Sequence, residues 1–374
     1  MSVEEATEAF RKPVKQLVIK LGTGVLTAGI GNLDKEVIRS VCAQVAKIRK
    51  SGTHVIIVSS GAVGLGMGRL GLDKRPTDLA TLQACASVGQ SILTETWQSG
   101  FNPWGIHVGQ MLLTREDLCV KKRHLAVRET LERLQRAGIV PIINENDCIS
   151  VDELKFGDND ILSALVASLT KSDLLVLLST IPGLLNLETQ EIVPSVSTLD
   201  EETFALAKGT SSPTAVGGMV SKLEAARVAS DSNCHMFIAH GREPEVLLKI
   251  LNGDKVGTHF FPKGKSLRSQ KRWLAFFQES GGRITVDPGA REAVEFSGRS
   301  LLAKGVTSVD GSFNRDSIVD LIDSTGSRFA RGVTQFSSNE ILKIAGKRTE
   351  EIEALFEGRK HPEVIHRDDM VLLS

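Results

Sequence analysis

KRHLAVRETLERLQRAGIVPIINEN (122–146) changes character twice within 25 residues. Val127, Leu131 and Leu134 recur at steps of four and three, the period of a helix with one buried face. Gly138 follows where a helix C-cap belongs. Ile139 to Ile143 then run apolar without a break, and Asn144, Glu145 and Asn146 end the run. A short apolar run between a glycine and a cluster of amides reads as a strand buried on both faces.

The same unit recurs along the chain. Candidate strands are QLVIKLG (16–22), THVIIVSS (53–60), GIHVGQMLL (105–113), IVPIINEN (139–146), DLLVLLS (173–179) and CHMFIAH (234–240). Between the first two lies DKEVIRSVCAQVAKIRKSG (34–52), helical in its spacing and ended by Gly52. Strand, helix and strand in repetition predict an α/β fold: an αβα sandwich with a mostly parallel sheet. Ligands of such sheets bind at the carboxyl ends of the strands. After GTHFFP (257–262) the pattern changes. KGKSLRSQKR (263–272) is basic and lacks apolar periodicity, as a linker does. Beyond it RITVD, SLLAKGVTSV, SIVDLID, FARGVTQF and DDMVLL are short runs separated by turn residues, which suits a small β-rich domain. The expected division is 14–262, a linker over 263–278, and 279–374.

Bulk properties narrow the classes. A chain of 374 residues is too long for one ordinary core and suits two domains. Lys plus Arg and Asp plus Glu balance at 45 each, so no basic excess points to nucleic acid or an anionic membrane. Cys42, Cys85, Cys119, Cys148 and Cys234 show no CxxC spacing, which fits reduced thiols in the cytoplasm. No apolar run approaches the roughly 20 residues of a membrane span. The eight histidines form no HExxH or similar ligand set, so no protein-held metal site is expected.

Four strand ends carry candidate chemistry. In KLGTGVLT (20–27), Lys20 leaves a strand beside Gly22 and Gly24, either to neutralise a phosphate or as a surface lysine before a turn. SSGAVGLGMGRLG (59–71) holds GxGxxG at Gly66, Gly68 and Gly71, but it begins too far past the strand for a dinucleotide fingerprint. Close helix packing is the better reading of those glycines. Ser60 and Gly61 at the strand end instead expose a hydroxyl and backbone N–H groups to a carboxylate or phosphate. INEND (143–147) and GDND (157–160) flank VDELKF (151–156), which would enclose a small polar ligand if both clusters face one crevice. Asp158 or Asn159 would otherwise only cap the helix that follows. In VGGMVSKLEAA (216–226), two glycines open a helix with Lys222 four residues past Gly218, a phosphate cradle or a solvated face. HFFPKGKS (259–266) ends like a P-loop, but His259 stands where its first glycine belongs.

These stretches, in this order over nearly the whole chain, resemble the amino acid kinase family. Within it they match the branch that phosphorylates the γ-carboxylate of L-glutamate. INEND followed by GDND is the most specific pair. SLLAKGV, FARGVTQFSS and VIHRDDMVLL resemble a PUA domain. The resemblance implies that Lys20 and Lys222 contact ATP phosphates and that Asp158 orients the two lysines. It implies that Ser60, Gly61, Asp147 and Asn159 bind glutamate. It places Ser179, Thr180, Val216, Gly217, Gly218, Met219, Val220 and Ser221 on the nucleotide side. There the sequence departs from the family twice: Thr180 replaces the usual acid, and Val216 replaces a threonine. The implied cofactors are ATP and Mg²⁺ held mainly through ATP. The implied setting is cytoplasmic proline biosynthesis, with proline as feedback inhibitor, a homo-oligomer and a glutamyl phosphate reductase as partner.

Other readings are another carboxylate or phosphate kinase of this fold, a kinase relic that senses proline or glutamate, and an RNA-binding protein. Residues 279–374 speak against the last, with 13 Lys plus Arg against 16 Asp plus Glu. An acidic module is a poor binder of a phosphate backbone.

Overall fold

The computed structural model describes residues 13–150, 159–186, 188–209, 218–263, 280–347, 351–352 and 363–373. The chain divides into two compact units, Met1–Ser266 and Leu267–Ser374. Apart from Lys263, the expected linker lies outside the described residues, as does the VDELKF segment.

The described residues of the first unit form the strands β1 (Gln16–Leu21), β2 (Thr27–Gly29), β3 (Asn32–Leu33), β4 (His54–Ser59), β5 (Val108–Leu113), β6 (Val140–Glu145), β7 (Leu174–Ser179), β8 (Ser195–Val196), β9 (His235–His240) and β10 (Thr258–Phe260). The main sheet runs β5-β6-β4-β1-β7-β9-β10-β8, and β2 and β3 form a separate ribbon. From β5 to β9 every pairing is parallel; β10 joins antiparallel to β9. All six apolar runs read from the sequence are strands of this sheet. Leu17, Ile19, Ile57, Val140, Ile142, Leu174 and Val176 are buried, and so are Val18, Ile56, Ile143 and Leu175, which point to the opposite face. Both faces are therefore covered, and each such side chain contributes about 1.5–3 kcal/mol by leaving water.

Local chemistry sets the helix ends. Asp34 caps Lys35–Lys50 by accepting from the Val37 N–H at 3.2 Å, and Lys47, Arg49 and Lys50 occupy the last turn, where cations complement the dipole. Asp78 caps Leu79–Phe101 in the same way through Thr81. Gly66 and Gly68 of the GxGxxG stretch serve packing, whereas Gly71, at φ +69° with open space around it, serves a turn. A Cβ on Gly66 would fall 1.8 Å from the Cys85 carbonyl oxygen, and one on Gly68 would fall 2.2 Å from Gly31 Cα. Helix Ala62–Arg69 therefore lies backbone against backbone on helix Leu79–Phe101. Among the described residues no helix is long and apolar enough to cross a membrane.

The second unit holds a six-stranded sheet, β12-β16-β15-β14-β11-β13, from β11 (Arg283–Val286), β12 (Leu301–Leu302), β13 (Val306–Asp310), β14 (Ile318–Ile322), β15 (Arg328–Thr334) and β16 (Glu363–Leu372). Only β11 with β14 is parallel. Helices Pro288–Glu295 and Ser338–Ile344 accompany the sheet, the second opened by a capping box between Ser337 and Glu340. Phe336, Ile341, Ile344, Val319, Leu321 and Val364 are fully buried in a core of its own.

Candidate active site

In the first unit β1 is central, with β4 on one side and β7 on the other. The sheet is therefore wound outward in two directions, and the crevice at the carboxyl ends of these strands is where side chains of several elements meet. β1 brings Lys20 there, β4 brings Ser59 with Ser60 just past its end, and β6 brings Asn144. Two helices that pack side by side, Asn159–Thr170 and Met219–Asp231, start at the same end.

Three charged side chains converge. Lys20, Lys222 and Asp160 are 5%, 7% and 0% exposed. Asp160 Oδ2 accepts from Lys222 Nζ at 2.8 Å, and Oδ1 is paired with the Lys20 ammonium. The Ser221 hydroxyl donates to the same Oδ2 at 3.4 Å. Burial pushes the Asp160 carboxyl up, and the ammonium groups of Lys20 and Lys222 outweigh that effect and hold it down to about 2. An unpaired carboxylate here would cost several kcal/mol; two cations beside it leave the group ionised and the trio with a net charge of +1. A buried positive group at two helix N-termini has the electrostatics that suit an anion.

The loop after β1 completes that side. The Gly22 N–H donates to the Leu178 carbonyl at 3.3 Å, and a Cβ on Gly22 would stand 3.6 Å from Lys20 Nζ. The backbone thus passes close to the ammonium. A Cβ on Gly24 would stand 2.8 Å from Thr180 Cγ2, so the methyl group of Thr180 occupies the edge of this loop. Ser179 ends β7, and its carbonyl accepts from the Gly241 N–H at 2.8 Å. Gly218 precedes helix Met219–Asp231, with Met219 buried and Val220 exposed. Val216 and Gly217 lie outside the described residues.

A second cluster is neutral. Asn159 Nδ2 donates to Ser60 Oγ at 2.8 Å and to Asn144 Oδ1 at 2.8 Å. Asn159 Oδ1 is buried and has no hydrogen-bond partner among the described residues. Gly61, at φ +110°, turns the chain from β4 into helix Ala62–Arg69. That is the left-handed region, which glycine enters at little cost. Behind it Trp97 Nε1 donates to the buried Ser59 Oγ at 3.0 Å. Asp147 is half-buried in the turn that follows β6, three residues beyond Asn144. Among the described residues no three His, Cys, Asp or Glu side chains gather to hold a metal ion.

Lys20, Lys222, Ser60 and Asn159 thus share one crevice, at the starts of adjacent helices. Asp158 lies outside the described residues; the carboxylate found between the lysines is that of Asp160. Asn144 also went unassigned in the sequence, although its amide is buried at a strand end. One signal for Asp160 was present. It shares a helix face with Ser163, Ala164 and Ala167, all buried, and a charge on a buried face needs a partner.

This fold and this lysine–aspartate–lysine centre belong to a phosphoryl-transfer enzyme, and the chain is a member of the amino acid kinase family, whose model matches residues 15–240. A PUA domain matches residues 282–356. The chain is 44% identical over 377 residues to a glutamate 5-kinase of Myxococcus xanthus (strain DK1622), covering 100% of both chains. It is 43% identical over 365 residues to a glutamate 5-kinase of Geobacter sulfurreducens, covering 96% of this chain and 98% of the relative. Among solved structures, UMP kinase from Bacillus anthracis is similar at a TM-score of 0.47 and 16% identity, over 68% of this chain and 98% of that one. Giardia carbamate kinase is similar at 0.49 and 17% identity, over 67% of this chain and 100% of that one.

Proposed function

We propose that this chain transfers the γ-phosphoryl group of ATP to the γ-carboxylate of L-glutamate, the first step of proline biosynthesis. The observation that carries the reading is the buried Lys20–Asp160–Lys222 trio beside the Ser60–Asn159–Asn144 amide cluster. One half suits the transferring phosphoryl group, and the other suits a small polar acceptor. The full-length similarity to glutamate 5-kinases selects the acceptor.

An oxygen of the γ-carboxylate attacks the γ-phosphorus. The bond from that phosphorus to the β–γ bridging oxygen breaks, and ADP leaves with the electron pair. The nucleophile is already ionised at neutral pH, so no general base is required. The chemistry needs in-line placement and neutralisation of charge as two anions approach. Lys20 and Lys222 supply the neutralisation, and Asp160 holds their ammonium groups in place. Ser60, Asp147 and Asn159 hold the glutamate. Mg²⁺ would be held mainly through ATP and would supply screening of the phosphate charge. Both Asp160 oxygens already serve the lysines.

The test is ATP- and Mg²⁺-dependent formation of γ-glutamyl hydroxamate in the presence of hydroxylamine. L-Glutamate should support it, and a coupled ADP assay should show little turnover with aspartate, N-acetylglutamate or UMP. Turnover with one of those three and not with glutamate would overturn the reading. Glutamate binding without any ATP turnover would mean a sensor.

A further inference from the structure

Asn159 can serve a ligand in two opposite ways, through its carbonyl oxygen or through its amide nitrogen. A hydrogen-bond chain decides between them. It begins at the backbone N–H of Glu145, which can only donate, and which gives its proton to Asn144 Oδ1 at 2.9 Å. That contact at one end, and an acceptor for the NH₂ group at the other, together hold the sense of the Asn144 amide. Asn144 Nδ2 must then find an acceptor, and Gln90 Oε1 provides it at 3.0 Å. Gln90 Nε2 in turn donates to Thr94 Oγ1 at 3.4 Å, and Thr94 Oγ1 donates to Gln110 Oε1 at 2.8 Å. Asn144 and Gln90 are 1% and 5% exposed, so water does not substitute for either contact. With Asn144 held in this sense, its oxygen also takes the Asn159 Nδ2 proton. Among the described residues the Asn159 carbonyl oxygen is left buried without a donor. A buried acceptor in that state costs free energy until a ligand supplies a donor.

We propose that Gln90 is a positioning residue that selects for an amino group on the acceptor substrate. Acting through Asn144, it fixes the amide sense of Asn159, so that a carbonyl oxygen and not an NH₂ group meets the ligand. Gln90 sits in the middle of helix Leu79–Phe101, and its side chain contacts Asn144 and Thr94. The inference rests on the reading of glutamate as the acceptor, whose ammonium group is the donor that Asn159 lacks. If the chain lost its sense, an amide nitrogen would face that ammonium, and two donors would meet.

The experiment compares L-glutamate with glutarate, which lacks only the amino group, in steady-state kinetics of the full-length enzyme with MgATP. Gln90→Met keeps the volume and removes the acceptor. It should raise KM for glutamate about tenfold, leave kcat and KM for ATP within about twofold, and lower the preference for glutamate over glutarate by about tenfold. Gln90→Glu still offers Asn144 an acceptor and should stay within about threefold of the parent enzyme. Should Q90M fail to fold, Thr94→Val tests the next link and should shift the same preference by about threefold in the same direction. An unchanged glutamate-to-glutarate preference in a folded Q90M (or in T94V) overturns the inference. Equal damage from Q90M and Q90E also overturns it, because that marks a purely packing role. If the unaltered enzyme does not phosphorylate glutamate at all, the parent reading falls instead, and this one with it.

Discussion

Two buried aspartates, one in each unit, stand between two cations. Asp160 has Lys20 and Lys222; Asp320 has Arg331 and Arg328. Charge and burial are alike, with Asp160 0% and Asp320 6% exposed. The difference lies in the cations and in what carries them. Asp320 and Arg331 sit directly opposite each other on β14 and β15, and the guanidinium meets both carboxylate oxygens, at 2.7 Å and 3.3 Å. A planar fork on a matching carboxylate spends its geometry on that partner. The lysines instead come from a strand and a helix far apart in sequence, 20 against 222. An ammonium is a compact charge with three donors in a tripod, so it can serve Asp160 and an arriving phosphate oxygen together. The arginine pair clasps two strands, whereas the role proposed for the lysine pair is to meet an anion.

The contrast is tested most severely at the lysines. Lys20→Ala or Lys222→Ala should lower turnover by roughly 10²- to 10³-fold, by analogy with the loss of one transition-state donor. A coupled ADP assay reads it, and near-normal turnover in either variant ends the proposed role. Next come the two aspartates. Asp160→Asn leaves two buried ammonium groups without their counter-charge. It should cost about 3–5 kcal/mol of stability and at least about tenfold in turnover. Asp320→Asn should cost a comparable amount of stability in urea unfolding, yet leave turnover of the folded enzyme within about twofold. Equal losses of turnover from both would erase the distinction.

Smaller effects concern pH. Asp160 is held down to about 2, below its ordinary value. Its native-state advantage is therefore present in full above about pH 4 and disappears as pH falls towards 2. The turnover profile between pH 5 and 8 should show no limb that Asp160→Asn removes. His259 behaves in the opposite sense. It stacks on Phe237 and lies tilted against Phe261, with centroids 4.2 Å and 4.1 Å away, and meets His235 Nδ1 at 2.9 Å. Burial first, and the neighbouring His235 second, push it down to about 3. The unfolded chain therefore binds more protons than the native one between about pH 6.5 and 3, so stability falls as pH drops through that window. The slope for one proton is about 1.4 kcal/mol per pH unit. His259→Phe should flatten this slope in urea titrations at pH 7, 6 and 5; an unchanged slope would show that another group carries it.

Much of this was legible along the chain. Six apolar runs became six strands, because a strand covered on both faces leaves an uninterrupted apolar signature. Lys20 and Ser60 could be placed at strand ends, and Asn159 and Lys222 at helix starts, from local pattern alone. Asp158 and Asp160 could not be ranked so easily. In the sequence both are acids at the start of one helical pattern, whose period would set positions two apart about 200° from each other. The one that meets the lysines depends on how that helix lies against β1. Asn144 and Gln90 were harder still: residues 54 apart meet because β6 ends beside helix Leu79–Phe101.

The amino-acid order therefore settled the α/β architecture, the strand ends that face the crevice and the family. Those follow from periodicity and from short-range turn and cap chemistry. Tertiary packing settled which carboxylate neutralises the lysines and which way the amides of Asn144 and Asn159 point. Burial removes water as an alternative partner, so each polar group must take what the neighbouring element offers, and that neighbour is set by the fold and not by the local sequence.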